Sequence, residues 1–179
     1  MRILAISGSL RASSSNTTLL RAASALAPQG VEVILYDGLG DLPHFNPDLD
    51  GATVSPAVGV WRSTLRNADG VVFSVPEYAH GVPGVLKNSL DWVVGSGELV
   101  DKPVTLFNAS PRGTYAQASL TETLTVMSAK VVPEASVTLQ LLGKPVAAGQ
   151  IVADPGMAAV VRSALEIFAD AIETIKAAG

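Results

Sequence analysis

The chain has 179 residues, 48 % of them hydrophobic and only 16 % charged, and its 12 lysines and arginines against 16 aspartates and glutamates give a net charge of −4. That length fits one domain with a sizeable core, the composition excludes a disordered chain, and mild acidity without a basic run speaks against nucleic-acid binding. Cysteine is absent and His44 and His80 are the two histidines, which removes disulfides, thiolate metal sites and a cysteine nucleophile and argues against a multi-histidine metal site. With so little charge to cover the surface, some of it is expected to be buried against another subunit. No apolar run reaches the roughly 18 residues of a membrane span. The apolar start Met1 to Ile6 is stopped by Ser7-Gly8-Ser9, too early for a signal peptide, so the expectation is a cytoplasmic protein.

Arg2 to Ser7 reads as a buried strand. Asn16 to Ala27 reads as a helix ended by Pro28 and Gly30, and Val31 to Tyr36 as a second strand. Gly38 to Ser55 is a long loop marked by Pro43, Pro47 and the Asp50-Gly51 turn signal. Pro56 to Ala68 is a helix with proline in its first turn. Gly70 to Val75 is a strand apolar at almost every position, as expected when both faces of a sheet are covered. Pro83 to Val94 is a helix, Pro103 to Ala109 a strand and Tyr115 to Met127 a helix. Lys130 to Val132 with Val137 to Leu139 forms a last strand region, and Met157 to Ala177 is a long closing helix. Strand and helix thus alternate about five times. Parallel strands need right-handed helical crossovers, which cover both faces. The expected fold is α/β: one domain over residues 1–179, a doubly wound, flavodoxin-like sandwich with a five-stranded parallel sheet in the order 2-1-3-4-5.

Ligands of such sheets bind beyond the carboxyl ends of the strands, at the switch point. Three loops are expected there. The first, Gly8 to Thr17, leads into a helix N-terminus, whose free N–H groups and dipole favour an anion. It is dense in donors, namely Ser9, Ser13, Ser14, Ser15, Asn16 and Thr17, and Arg11 adds a fork suited to phosphate oxygens. No acid precedes Glu32. The bland alternative is a serine-rich turn with an N-cap. Gly-x-Gly-x-x-Gly and Gly-x-x-x-x-Gly-Lys-Ser/Thr patterns are both missing, so a terminal phosphate fits better than a pyrophosphate. The second loop, Pro76 to Gly84, is stiffened by Pro76 and Pro83, opened by Gly81 and Gly84, and carries Glu77, Tyr78, Ala79 and His80. It can present backbone groups to the edge of a planar heterocycle, or be a plain connection with Glu77 and His80 in water. The third, Asn108 to Tyr115, carries Ser110 and Arg112; Arg112 is either a second anion contact or an exposed turn residue. Lys87 and Asp91 are an i,i+4 pair on one helix, and no Ser/His/acid arrangement suggests a hydrolase.

Gly8-Ser9-Leu10-Arg11-x-x-Ser14-x-Asn16 followed by Leu19, and Pro76-Glu77-Tyr78-x-x-Gly81-x-Pro83-Gly84-x-Leu86-Lys87-Asn88-x-x-Asp91-Trp92, resemble the two signatures of the NADPH-dependent FMN reductase family. The resemblance runs over about residues 2 to 130. It implies a flavodoxin-like fold, bound FMN, an NADPH or NADH donor, and dimers or tetramers. The implied acceptors are flavins, quinones, azo dyes or metal oxyanions. It assigns Ser9, Arg11, Ser14, Ser15, Asn16 and Thr17 to the FMN phosphate. It assigns Pro76, Glu77, Tyr78 and Gly81 to the flavin ring and Ser110 to the third loop, and places the Asp91-Trp92 helix near a subunit interface. Two departures stand out. Ala79 occupies a position that is often Asn, so a polar contact is lost or passed to His80. Pro111-Arg112-Gly113-Thr114 replaces a frequent Gly-Gly pair, which reshapes the nicotinamide or acceptor pocket.

The implied reaction is ping-pong: hydride passes from NAD(P)H to FMN, then two electrons pass to a small-molecule acceptor, with the cofactor carrying the chemistry and no catalytic side chain required. The rival is a non-enzymatic FMN electron carrier of the flavodoxin type. Its usual Thr/Ser-x-Thr-Gly-x-Thr loop is missing, and the net charge of −4 is small for a carrier. A flavin-free scaffold is the third possibility.

Overall fold

A computed structural model describes residues 1–51, 53–141 and 146–178. Ala52 of the expected 38–55 loop lies outside them. The strands are β1 Arg2–Ser7, β2 Glu32–Tyr36, β3 Gly70–Ser74, β4 Pro103–Asn108, β5 Lys130–Val131 and β6 Val137–Thr138. The helices are α1 Ser15–Ala25, α2 Pro56–Arg66, α3 Gly84–Val94, α4 Thr114–Val126, α5 Ala148–Ala153 and α6 Pro155–Ala178. The sheet is parallel with the order β2-β1-β3-β4-β5, as expected. The expected five strands become six, because the last strand region is split. β5 pairs with the start of β4 and β6 with its end, and Pro133, which has no N–H to give a ladder, opens a short 3-10 turn between them.

Period-2 alternation along β1 divides two cores. Ile3 and Ala5 pack with Leu19, Leu20, Leu165, Phe168 and Ile172 on the face covered by α1, α5 and α6. Leu4 and Ile6 pack with Trp61, Leu65, Leu86, Leu90, Leu120 and Leu124 on the face covered by α2, α3 and α4. A Cβ added to Gly70, the first residue of β3, would meet Ile172 Cδ1 at 2.6 Å and Phe168 Cζ at 3.0 Å, so α6 occupies the space of that missing side chain. The 38–55 segment is tied to α3: Asn88 Nδ2 and Trp92 Nε1 both donate to the Pro43 carbonyl, at 3.0 and 2.8 Å. Trp92 is thereby buried in this chain rather than offered at its surface. The short helix α5 carries no sequence expectation.

Two serines end neighbouring strands. Ser7 of β1 and Ser74 of β3 face each other in register, at the edge where the first loop leaves the sheet.

Candidate functional site

The loops after β1, β3 and β4 enclose a cleft of about 300 Å³. Ser9, Arg11, Ser13, Ser14, Ser15 and Asn16 line it from the first loop, Val75, Pro76, Glu77 and Tyr78 from the second, and Asn108, Ala109, Ser110, Arg112 and Gly113 from the third. The three loops are brought together as the switch-point rule requires. Thr17, Ala79, His80 and Gly81, all expected at the site, do not line this cleft.

The first loop starts where the backbone is close-packed. Gly8 N–H donates to the Ser74 carbonyl at 2.9 Å, and a Cβ on Gly8 would stand 3.0 Å from Val75 Cγ1. Ser14 is the N-cap of α1, its hydroxyl oxygen accepting from Thr17 N–H at 3.3 Å. The first turn of α1 contains no acid, so its dipole meets no side-chain anion. Arg11 Nη2 donates to Ser13 Oγ at 3.2 Å. Among the described residues neither Arg11 nor Arg112 has a carboxylate partner. Thr17 is turned the other way: its hydroxyl donates to Ser7 Oγ at 2.8 Å, tying the helix to β1. That direction is set by a partner ten residues away, which the loop's composition does not reveal.

The second loop is a tight two-residue hairpin. Tyr78 and Gly81 exchange backbone hydrogen bonds of 3.2 and 2.9 Å, and the central residues Ala79 and His80 both have positive φ, 49° and 59°. Such turns favour Asn and Gly, so this pair holds local strain. Two contacts pin it to α4. The His80 ring stacks on Tyr115, centroids 4.1 Å apart, and the Glu77 carboxylate accepts from Ala116 N–H at 3.0 Å. His80 therefore does not take over a contact in the cleft, and the Glu77 charge faces the N-terminus of α4. Tyr78 stays more than half exposed at the rim.

The third loop is ordered by its own side chains. Asn108 Oδ1 accepts from Ser110 N–H at 3.0 Å, and Ser110 Oγ accepts from Arg112 N–H at 3.2 Å. Asn108 and Tyr115 bound the third loop in the sequence but carry no assigned contact there. A polar residue ending a mostly apolar strand was a readable signal for Asn108; nothing marks Tyr115.

The cleft walls fit a phosphate monoester bearing a flat ring. Hydroxyls, the Asn16 and Asn108 amides and two guanidinium groups without a carboxylate partner among the described residues line the cleft beside the positive end of α1, and the carboxylate in the wall, Glu77, already accepts from a helix N-terminus. Val75, Pro76, Tyr78 and Ala109 give the remainder an apolar lining. No group of side chains that could hold a metal ion occurs among the described residues, and no described helix is long and apolar enough to cross a membrane.

The chain is similar to several known proteins. Residues 1–141 match the sequence profile of a family described as NADPH-dependent FMN reductase. An NAD(P)H-dependent FMN reductase of Pseudomonas aeruginosa is 38 % identical over 112 residues, 62 % of this chain and 60 % of that protein. A quinone reductase of Escherichia coli K12 is 34 % identical over 113 residues, with the same two shares. In both, the match spans less than two thirds of the relative's own length. Among solved structures, FerB, a flavoenzyme NAD(P)H:(acceptor) oxidoreductase from Paracoccus denitrificans, superposes with a TM-score of 0.77 at 27 % identity, covering 97 % of each chain.

Proposed function

The chain belongs to the NADPH-dependent FMN reductase family, and from that premise we propose that it is an oxidoreductase that holds FMN in this cleft and carries reducing equivalents from NADPH or NADH to a small-molecule acceptor. Free flavin, a quinone, an azo compound or a metal oxyanion is the acceptor class. The observation that carries the proposal is the union of hydroxyl, amide and guanidinium donors without a carboxylate partner among the described residues at the α1 N-terminus with an apolar slot between the second and third loops.

In this reading Ser9, Arg11, Ser14, Ser15 and Asn16 hold the phosphate. Arg11 supplies charge, and the serine hydroxyls and α1 N–H groups supply direction. Thr17 serves the same cradle indirectly, by fastening α1 to Ser7. Pro76, Glu77 and Tyr78 bring backbone groups and one aromatic face to the flavin. Ala79, His80 and Gly81 shape the hairpin that holds those groups, and Ser110 closes the opposite wall. When bound, FMN would supply the redox chemistry between the reduced nicotinamide and the acceptor. The protein binds, orients and excludes water; no side chain is required as a nucleophile.

Residues 1–179 act as one domain in this reading, because α6 shares a core with β1 and α1. Assembly into a homodimer or homotetramer is supported by the low charge and by the exposed Leu10, Leu49, Val60 and Val94. The proposed location is the cytoplasm.

A visible absorption spectrum after addition of FMN and removal of the excess tests the reading, followed by anaerobic NADPH. Retained yellow colour that bleaches with NADPH or NADH is the expected result. Retained flavin that neither nucleotide reduces marks a carrier instead. With no retained flavin, steady-state NADPH oxidation with free FMN is expected, and its failure ends the reductase reading.

A further inference from the structure

Asn16 is 8 % exposed and Ser74 is fully buried. The Ser74 hydroxyl donates to Asn16 Oδ1 at 3.0 Å, across 58 residues of sequence, and makes no other hydrogen bond among the described residues. The Asn16 Nδ2 group makes none within the protein among those residues. Every sealed side-chain nitrogen or oxygen of the described residues has a partner, so Nδ2 is not sealed, and Asn16 lines the cleft. A primary amide has one accepting and one donating end. Whichever end Ser74 takes, the other faces the ligand.

We propose that Ser74 is a positioning residue for anion binding: by donating to Asn16 Oδ1 it turns both N–H bonds of the amide into the cleft. The inference rests on the FMN reading above and adds to it a residue outside both sequence signatures. Its physical basis is an orientational choice. Ser74 lies against the first loop at a point where the Gly8 amide already donates to the Ser74 carbonyl, so strand and loop cannot drift apart to accommodate a flipped amide. Without the hydroxyl, Asn16 can present oxygen as readily as nitrogen, and an oxygen lone pair facing a phosphate is repulsive. Ser7 has the parallel role on the adjacent strand. It is the register partner of Ser74 and holds Thr17, the residue after Asn16. The two serines thus fix consecutive side chains of α1, the first aimed at the ligand and the second anchored to the sheet.

The test compares ligands with and without the phosphate. Dissociation constants of the apoprotein for FMN and riboflavin are measured by quenching of flavin fluorescence, for the wild type, Ser74→Ala, Asn16→Ala and the double variant. The wild type is expected to prefer FMN. Ser74→Ala should cut that preference by about tenfold, the scale of one charge-assisted hydrogen bond, and leave riboflavin affinity within about twofold of the wild type. In the Asn16→Ala background Ser74→Ala should add nothing, since coupled residues are non-additive. Ser74→Thr and Ser74→Val, nearly equal in size, repeat the comparison with any crowding held constant; the threonine should keep the FMN preference and the valine lose it. An unchanged preference in Ser74→Ala, equal weakening of both flavins, full additivity with Asn16→Ala, or equal behaviour of the threonine and valine variants would overturn the proposal. A wild type that binds FMN and riboflavin alike would instead overturn the phosphate reading of the cleft, an outcome separable from the first.

Discussion

The two ends of the sheet treat charge in opposite ways. At the amino ends of the strands the charges meet in ion pairs or are held by backbone carbonyls. Arg2 meets Glu32 at 3.4 Å, Lys130 meets Asp101 at 3.1 Å, Lys176 meets Asp69, and the amino terminus and Lys102 donate to the Gly30 and Ala68 carbonyls. At the carboxyl ends Arg11 and Arg112 border the cleft without a carboxylate, and the nearby acid Glu77 is committed to a helix N-terminus. Charges that neutralise each other serve the folded chain alone, and modestly when exposed. Charges left without partners are available to a ligand. The contrast predicts that removing an unpartnered charge alters binding and leaves the melting temperature in place, while removing a partnered one does the reverse.

The largest expected effect is Arg11→Ala. It should weaken FMN binding by about 2 kcal/mol, some thirtyfold, with the apoprotein melting temperature unchanged. A titration giving the wild-type constant would remove Arg11 from the cradle and erase the contrast. Glu77→Ala comes next. Losing the carboxylate on Ala116 N–H should lower stability by about 1 kcal/mol, or about 2–4 °C in a calorimetric scan; no change would mean the contact carries no energy. Ala79→Gly should raise stability by about 0.5 kcal/mol, because glycine adopts a positive φ without the Cβ clash. A loss in urea unfolding would show the turn to be unstrained.

The smallest effect belongs to the far end. Burial alone would raise the Asp69 carboxyl, but Lys176, the Arg2 N–H at 2.6 Å and the amino terminus outweigh it and hold the group below the ordinary carboxylate range. A depressed carboxyl stabilises the fold above its unfolded-state value and loses that contribution as pH falls through its folded-state value. Asp69→Asn should therefore cost less than about 1 kcal/mol at pH 7. The gap to the wild type should close only below about pH 4. Flavin affinity should not move; a change in it would break the division between the ends.

The sheet order was legible because β1, β3 and β4 are apolar on both faces and separated by helices opened with proline or a serine cap. The helix ends were legible to within one or two residues for the same reason. The split of the last strand was not: two residues of ladder either side of Pro133 leave almost no periodicity. The cleft was legible through its three loops, since position after a strand and donor density are properties of the sequence. Side-chain direction was not. Thr17 belongs to the phosphate loop by composition, yet Ser7 takes its hydroxyl. His80 stood as a candidate contact, yet it stacks on Tyr115. Both outcomes depend on partners brought close only by folding. The hairpin at Ala79-His80 was hidden by its residue types, which carry no mark of a left-handed turn.

The close packing at Gly70 has a consequence for the order of events during folding. The start of β3 is completed by Phe168 and Ile172, nearly a hundred positions later in the chain. While a ribosome is still adding α6, the α1 face of the sheet exposes its apolar rows, and β3 has nothing against its first residue. Closing that face therefore requires α6 to dock, and a chain in which it has not yet docked shows apolar strand surface of the kind chaperones bind.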